Sequence, residues 1–167
     1  MHHVKSLNEI LEINDCNELV SEFYFFVSDK KSFKLELNKI EEVAYLLLSM
    51  LPSIEMDSIL DLFHQLYSLD ECVVVEKSLR QFELNKLADL FNEAKSIFIN
   101  NKSNITQEEY KQIDLGTINE NQDRRLDEIS KMILAKDSEI YRLGDCLCKF
   151  IKSNSEVLMK SNTRVNS

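Results

Sequence analysis

The sequence predicts an all-α protein, a single-domain compact bundle of about seven or eight helices. Three observations predict it. Only 2 Gly and 1 Pro occur in 167 residues, too few for the tight turns of a β-sandwich or a doubly wound sheet. Leu, Glu, Lys, Ile and Asn dominate, and helices tolerate most of these well. Apolar residues recur every three or four positions along most of the chain, which is the period of one helix face. The chain is 44% hydrophobic and 29% charged, the balance of a globular rather than a disordered protein. Its length suits one ordinary domain with a real core. We expect that domain over residues 1–154 and a frayed polar tail over 155–167.

Residues 5–27 read as one bent helix or two shorter ones. Leu7, Ile10, Leu11 and Ile13 mark one apolar stripe, and Leu19, Val20, Phe23, Tyr24, Phe26 and Val27 mark the next. Asp15 can cap the second piece. Asp29-Lys30-Lys31-Ser32 reads as a polar connection. Residues 38–51 form a strong helix through Ile40, Val43, Ala44, Leu47, Leu48 and Leu51. Pro52 is expected to end it, because proline disfavours helical geometry in the residue before it. Ser53 is then placed to cap a helix over about 54–68. Val73-Val74-Val75 is β-branched and compatible with extended backbone, but its helical neighbours favour a helix over 71–80. Leu84, Leu87, Phe91, Ala94 and Phe98 mark the clearest helix, 84–99. Thr106 with Glu109 three residues on resembles a capping box opening a short helix to about Ile113. Residues 116–122 are loop-like. Helices over 123–134 and 137–153 complete the chain, the last carrying Ile140, Tyr141, Leu143, Leu147, Phe150 and Ile151.

The formal charge is −9. Such a chain repels nucleic acid and anionic membrane and favours basic partners. The imbalance is uneven: residues 1–100 hold 18 acidic and 9 basic residues, and residues 101–167 hold 11 of each. No apolar run approaches the roughly 20 residues that span a bilayer, and no secretory h-region is present. A cytoplasmic protein is expected, with Cys16, Cys72, Cys146 and Cys148 as free thiols.

No complete catalytic site is legible. Asp57, Asp61 and His64 share one helix face, but a carboxylate-bridged metal site in a bundle needs a carboxylate-x-x-His pair on two helices and carboxylates from two more. Cys146 and Cys148 do not face each other on a helix, and two further zinc ligands are lacking. Gly116 and Gly144 are far apart, so there is no phosphate-cradling loop. No metal, no cofactor and no enzymatic activity are expected. Phe23, Tyr24, Phe25 and Phe26 read as core, except that Phe25 faces away from the main stripe and marks a second layer or a contact patch. The informative pattern is acidic. Glu9, Glu12, Asp15, Glu18 and Glu22 follow one another every three or four residues, a near-continuous carboxylate ridge along the first helical region. Solubility alone explains such a ridge; so does a negative rail offered to a basic protein.

The stretch from Tyr45 to Phe98 resembles the core of the bacterial DNA-mimic protein family, a helical domain long catalogued as of unknown function. That family has a helix ending in a Gly-Gly-Phe-x-Gln-Phe-Phe-like motif, and its counterpart is Asp61-Leu62-Phe63-His64-Gln65-Leu66-Tyr67. The Phe, the Gln and the final aromatic match; the glycine pair does not. The family's Ala-x-x-x-Phe step is matched by Ala94 to Phe98. Its Asp-x-x-x-Tyr segment and following helix are matched by Asp137 to Tyr141 and by Phe150-Ile151. The resemblance covers about residues 40–154. It implies an all-α fold and a role in transcription regulation, with carboxylates standing in for DNA phosphates before a transcription factor or other nucleic-acid-binding protein.

Charge and resemblance together lead to an acidic protein-binding module whose partner is a basic, DNA-binding protein, with no direct nucleic acid and no membrane, acting as a monomer or homodimer. The expected partner-binding residues are Glu9, Glu12, Asp15, Glu18 and Glu22 on charge geometry alone, then Asp57, Asp61, Asp89 and Glu93. Two other readings stay open: an immunity or antitoxin-type neutralising protein, and a structural assembly subunit binding through an aromatic patch.

Overall fold

The computed structural model describes residues 5–163. They form α-helices and short turns, with no strand among the described residues, so the fold is all-α. The helices are α1 (Leu7–Leu11), α2 (Cys16–Ser32), α3 (Lys39–Met56), α4 (Ile59–Asp61), α5 (Leu69–Gln81), α6 (Asn85–Phe98), α7 (Gln107–Lys111), α8 (Glu120–Ile133), α9 (Leu143–Ser153) and α10 (Ser155–Thr163). A π-helical turn covers Leu62–Leu66, and 3₁₀ turns cover Leu115–Thr117 and Glu139–Arg142. These elements divide into two units. The chain-end unit takes the chain up to Leu48 and from Arg142 onward; the central unit is Ser49–Tyr141.

In the chain-end unit, α1 opens with a capping box in which Ser6 and Glu9 satisfy each other's backbone N–H groups. Asp15 caps α2 by accepting from Glu18 N–H, as its position predicts. The α2 core face is Leu19, Val20, Phe23 and Val27, and α2 packs on α9 through Leu147 and Ile151. A disulfide joins Cys16 to Cys148 across this pair, their Cα atoms 5.5 Å apart. This corrects the expectation of four free thiols. Spacing along one helix concealed it, because the partner of Cys148 is 132 residues away and not its neighbour Cys146.

Asp29 to Ser32 is the last turn of α2 and not a connection. Lys30 and Lys31 suit the carbonyl end of a helix, and each is engaged with α3. Lys30 Nζ donates to both carboxylate oxygens of Glu41 at 2.8 Å, and Lys31 Nζ lies 4.0 Å from the centre of the Tyr45 ring. Glu41 is only 1% exposed and also accepts Asn38 N–H, so this buried charge is paired and bonded. The stretch expected to fray is helical from Ser155 to Thr163, and Leu158 is fully buried. Residues 164–167 lie outside the described residues.

Pro52 does not end α3, which runs on to Met56. Proline removes one i→i−4 bond, and near a helix end that single loss is tolerable. Ile54 beyond it is buried and holds the last turn to the core. The next N-cap is therefore Ser58 and not Ser53.

In the central unit, α5 packs on α6, α6 on α8, and α4 on both α6 and α8. Phe63, Tyr67, Phe91, Phe98 and Tyr110 form a connected aromatic core. Phe63 lies 5.2 Å from Phe91 and 5.7 Å from Phe98 by ring centres, and Phe98 lies 5.3 Å from Tyr110. The helix expected over 54–68 is broken, and its second half becomes the π-helical turn closed by Tyr67 N–H to the Leu62 carbonyl at 2.7 Å. This wider turn buries Leu62, Phe63 and Tyr67 together while His64, Gln65 and Leu66 stay exposed. The Val73-Val74-Val75 run is helical inside α5, behind a Ser68/Glu71 capping box. Side chains also cap from a distance. Ser130 Oγ accepts Ile59 N–H at 3.2 Å, Gln107 Oε1 accepts Leu69 N–H at 2.9 Å, and Glu139 Oε2 accepts Leu87 N–H at 3.0 Å.

Ser130→Ala removes the acceptor of a buried amide. It should cost about 1–3 kcal/mol, read as a lowered urea midpoint with unchanged helical content. Alkylating the folded, non-reduced protein should label Cys146 while Cys16 and Cys148 stay protected by their disulfide. Cys72 should be spared as well, because burial pushes its thiol up to about 11. Reduction should destabilise the fold by roughly 5 kcal/mol on the loop-closure argument; alkylation of Cys16 and Cys148 without a reductant contradicts the pairing.

Candidate acidic protein-binding surface

The five ridge positions lie in the chain-end unit, Glu9 on α1, Glu18 and Glu22 on α2, and Glu12 and Asp15 as the caps between these two shorter helices. The ridge is interrupted where α1 stops at Leu11 and Asp15 starts α2. Several of its carboxylates already have work within the fold. Glu9 belongs to the Ser6 capping box, and Asp15 is the α2 N-cap. Lys5 Nζ reaches Glu18 at 2.8 Å and Glu22 at 3.4 Å. The hydrogen bond that Lys5 donates to Glu18, with Glu22 in support, holds the Lys5 ammonium above its ordinary pKa. Glu12 is exposed, with no hydrogen bond or ion pair recorded for its side chain among the described residues. Residues picked for their spacing thus turn out to cap helices or to bind a lysine.

The other four positions lie in the central unit. Asp57 is exposed in the turn before α4. Asp61 accepts from Gln65 Nε2 at 3.0 Å and from Ser58 Oγ at 3.2 Å. Asp89 meets Arg80 at 2.6 Å. Glu93 takes Arg125 through two hydrogen bonds, 2.7 and 3.0 Å, and the same guanidinium reaches Glu128 at 3.0 Å. Those carboxylates, Glu93 foremost, hold Arg125 well above its usual pKa. His64 is exposed, and among the described residues no group of three or more His, Cys, Asp or Glu is placed to hold a metal ion. Phe25 is 50% exposed while Phe23 is buried, as the helical phase of the cluster requires.

Grouping residues by unit changes where the charge sits. The chain-end unit carries 11 acidic and 10 basic residues, a net of −1, and the central unit carries 18 and 10, a net of −8. The Lys- and Arg-bearing C-terminal stretch folds with the acidic N-terminal stretch and neutralises it. On the central unit, α8 presents Glu120, Asp123, Asp127 and Glu128 to solvent, a set the sequence reading missed. Its signal was the same three-to-four spacing, masked by the intervening Arg124 and Arg125. No hydrogen bond or ion pair is recorded among the described residues for the side chains of Asp57, Asp123 or Asp127.

No helix among the described residues is long and apolar enough to cross a membrane. Residues 35–154 match the family described as DMP19-like protein. The match encloses the whole central unit and leaves Glu9, Glu12, Asp15, Glu18 and Glu22 outside it. No curated protein and no solved structure matches the chain.

Proposed function

The chain belongs to the DMP19-like family, and on that premise we propose that it is a DNA mimic, an acidic helical module that occupies the basic surface of a DNA-binding protein such as a transcription factor. The observation that carries this reading is the coincidence of the family match with the unit holding a net −8. Duplex DNA carries one negative charge per about 1.7 Å of axis, and its binding proteins answer with Lys and Arg. Carboxylates fixed on packed helices offer such a protein the same field, and their rigidity lowers the ordering cost of binding. Single exposed ion pairs are weak, so the face acts through many charges together and through steering of the encounter.

The structure's charge distribution moves the emphasis among the candidate residues. We place the contact on the central unit, at Asp57, Asp61, Asp89 and Glu93 with Asp123 and Asp127. Glu9, Glu12, Asp15, Glu18 and Glu22 become secondary, since they lie in a nearly neutral unit. The protein acts as a binding module in the cytoplasm, as a monomer or homodimer, and no residue is assigned a catalytic role. A second reading, assembly or neutralisation through an apolar patch, is favoured by one observation: Phe25, Phe33 and Leu35 are 50%, 70% and 46% exposed around the second half of α2.

The test is capture from the native host's lysate with a salt-gradient elution. A DNA-binding protein released at moderate salt and displaced by duplex DNA is the expected result. Reversing Asp57, Asp123 and Asp127 together to Lys should weaken that complex roughly tenfold or more at low salt and flatten its salt dependence. Reversing Glu9, Glu12 and Glu18 should change it far less. A partner that ignores both duplex DNA and salt overturns mimicry in favour of the apolar patch.

A further inference from the structure

A cleft of about 370 Å³ opens on the central unit between the first turns of α6, the end of α8 and the segment after it. Its accessible apolar surface comes from Leu90 of α6 and Met132 of α8, beside the buried Leu87. Met132 is 48% exposed, an unbranched, adaptable side chain of the kind that lines interaction surfaces. Three carboxylates, Asp89, Asp137 and Glu139, share the lining with one cation, Lys86. Each keeps an oxygen outside the bonds recorded among the described residues. Asp89 gives Oδ1 to Arg80, Glu139 gives Oε2 to Leu87 N–H, and Asp137 is exposed with no recorded partner. The Glu139 bond also ties the wall of the cleft to the start of α6, which has no side-chain cap of its own.

We propose that this cleft receives an arginine side chain of the basic partner, its stem on Leu90 and Met132 and its guanidinium among Asp89, Asp137 and Glu139. The inference rests on the acidic-module reading and makes it more specific. An arginine pairs an apolar stem with a planar, five-donor head that matches carboxylates two bonds at a time. A face of carboxylates alone attracts any cation. A face with an apolar slot beside its carboxylates selects a long cationic side chain and holds it after the encounter. The charges also fit the occupant: the lining is acidic by three to one, on the unit that carries nearly all the net charge.

The cleft is tested with full-length protein labelled at its methionine methyl groups and titrated at low salt with acetyl-Gly-Arg-Gly-amide. The citrulline peptide, which keeps the shape and loses the charge, is the control. The Met132 methyl signal, assigned by its loss in Met132→Leu, should shift and saturate with the arginine peptide and stay put with citrulline. Met132→Asp separates a slot from a field, because it adds a negative charge while removing apolar lining. Read on the peptide's own arginine signals, it should weaken binding at least fivefold, and Asp137→Asn should weaken it as well. Equal or tighter binding by Met132→Asp, or an unmoved Met132 methyl, overturns the proposal. A wild-type protein that holds a DNA-displaceable partner while its Met132 methyl ignores arginine loses the cleft but keeps the acidic-face reading. Saturable arginine binding in a protein that captures no DNA-binding protein keeps the cleft and removes that reading.

Discussion

The closure of α2 on α9 is the constraint on which the rest depends. It brings residue 16 against residue 148 and fastens them with a disulfide, so the two ends of the chain become one unit. The same closure sorts the charge. The N-terminal stretch is acidic and the C-terminal stretch basic, and once they fold together their charges cancel to −1. What remains between them in sequence is a continuous segment with almost all of the protein's net negative charge. A carboxylate beside Lys5 or at a helix N-cap is part of the fold's own electrostatics. A carboxylate with no neutralising neighbour is available to something else.

Within the central unit the aromatic core performs the equivalent task. Phe63 reaches Phe91 and Phe98, Tyr67 reaches Phe91, and the wider π turn between them brings Leu62 to the same buried side. An ordinary helix would turn Tyr67 off the face that Leu62 and Phe63 share, since residues five apart are not aligned at 3.6 per turn. The motif that resembles the family lies on this turn. Its Phe and its final aromatic are core residues, while its Gln is exposed and holds Asp61. The motif therefore positions α4, α6 and α8 relative to one another within the unit, and through them the acidic face.

The all-α class, the caps at Asp15 and Thr106, and the helices around Val43 and Phe91 were legible because each rests on local periodicity or on a pair of residues three apart. What escaped was non-local or used an uncommon local solution. Pro52 breaks one hydrogen bond but not the helix, since Ile54 is anchored by burial beyond it. Helices α2, α5 and α6 end at left-handed Lys34, Glu83 and Asn100 where glycine is usual. The low glycine content therefore signalled helices without marking where they stop. The Cys16–Cys148 pair and the capping of α6 by Glu139 join residues far apart in sequence. For the site, spacing located carboxylates on helices but did not reveal which had partners. Counting charge along the chain placed the excess before residue 100; counting it by unit places it between Ser49 and Tyr141.

A helical unit with a large excess of carboxylates faces two demands that pull against each other. Negative charges repel one another, so packing them densely destabilises the helices that carry them. Pairing each with a cation relieves the strain but erases the signal. The central unit divides these tasks among different residues. Asp89 with Arg80, Glu93 and Glu128 with Arg125, and Glu76 with Lys95 form ion pairs, and all but Arg125–Glu128, which lies within α8, join one helix to another. They fix the helices' spacing and give up part, not all, of their charge, since Asp89 and Glu93 remain exposed. Asp57, Asp123 and Asp127 have no such partner recorded and stand on the frame the pairs stiffen. Removing a paired carboxylate should thus loosen the scaffold while removing an unpaired one should lower the field, two effects that a single count of acidic residues would merge.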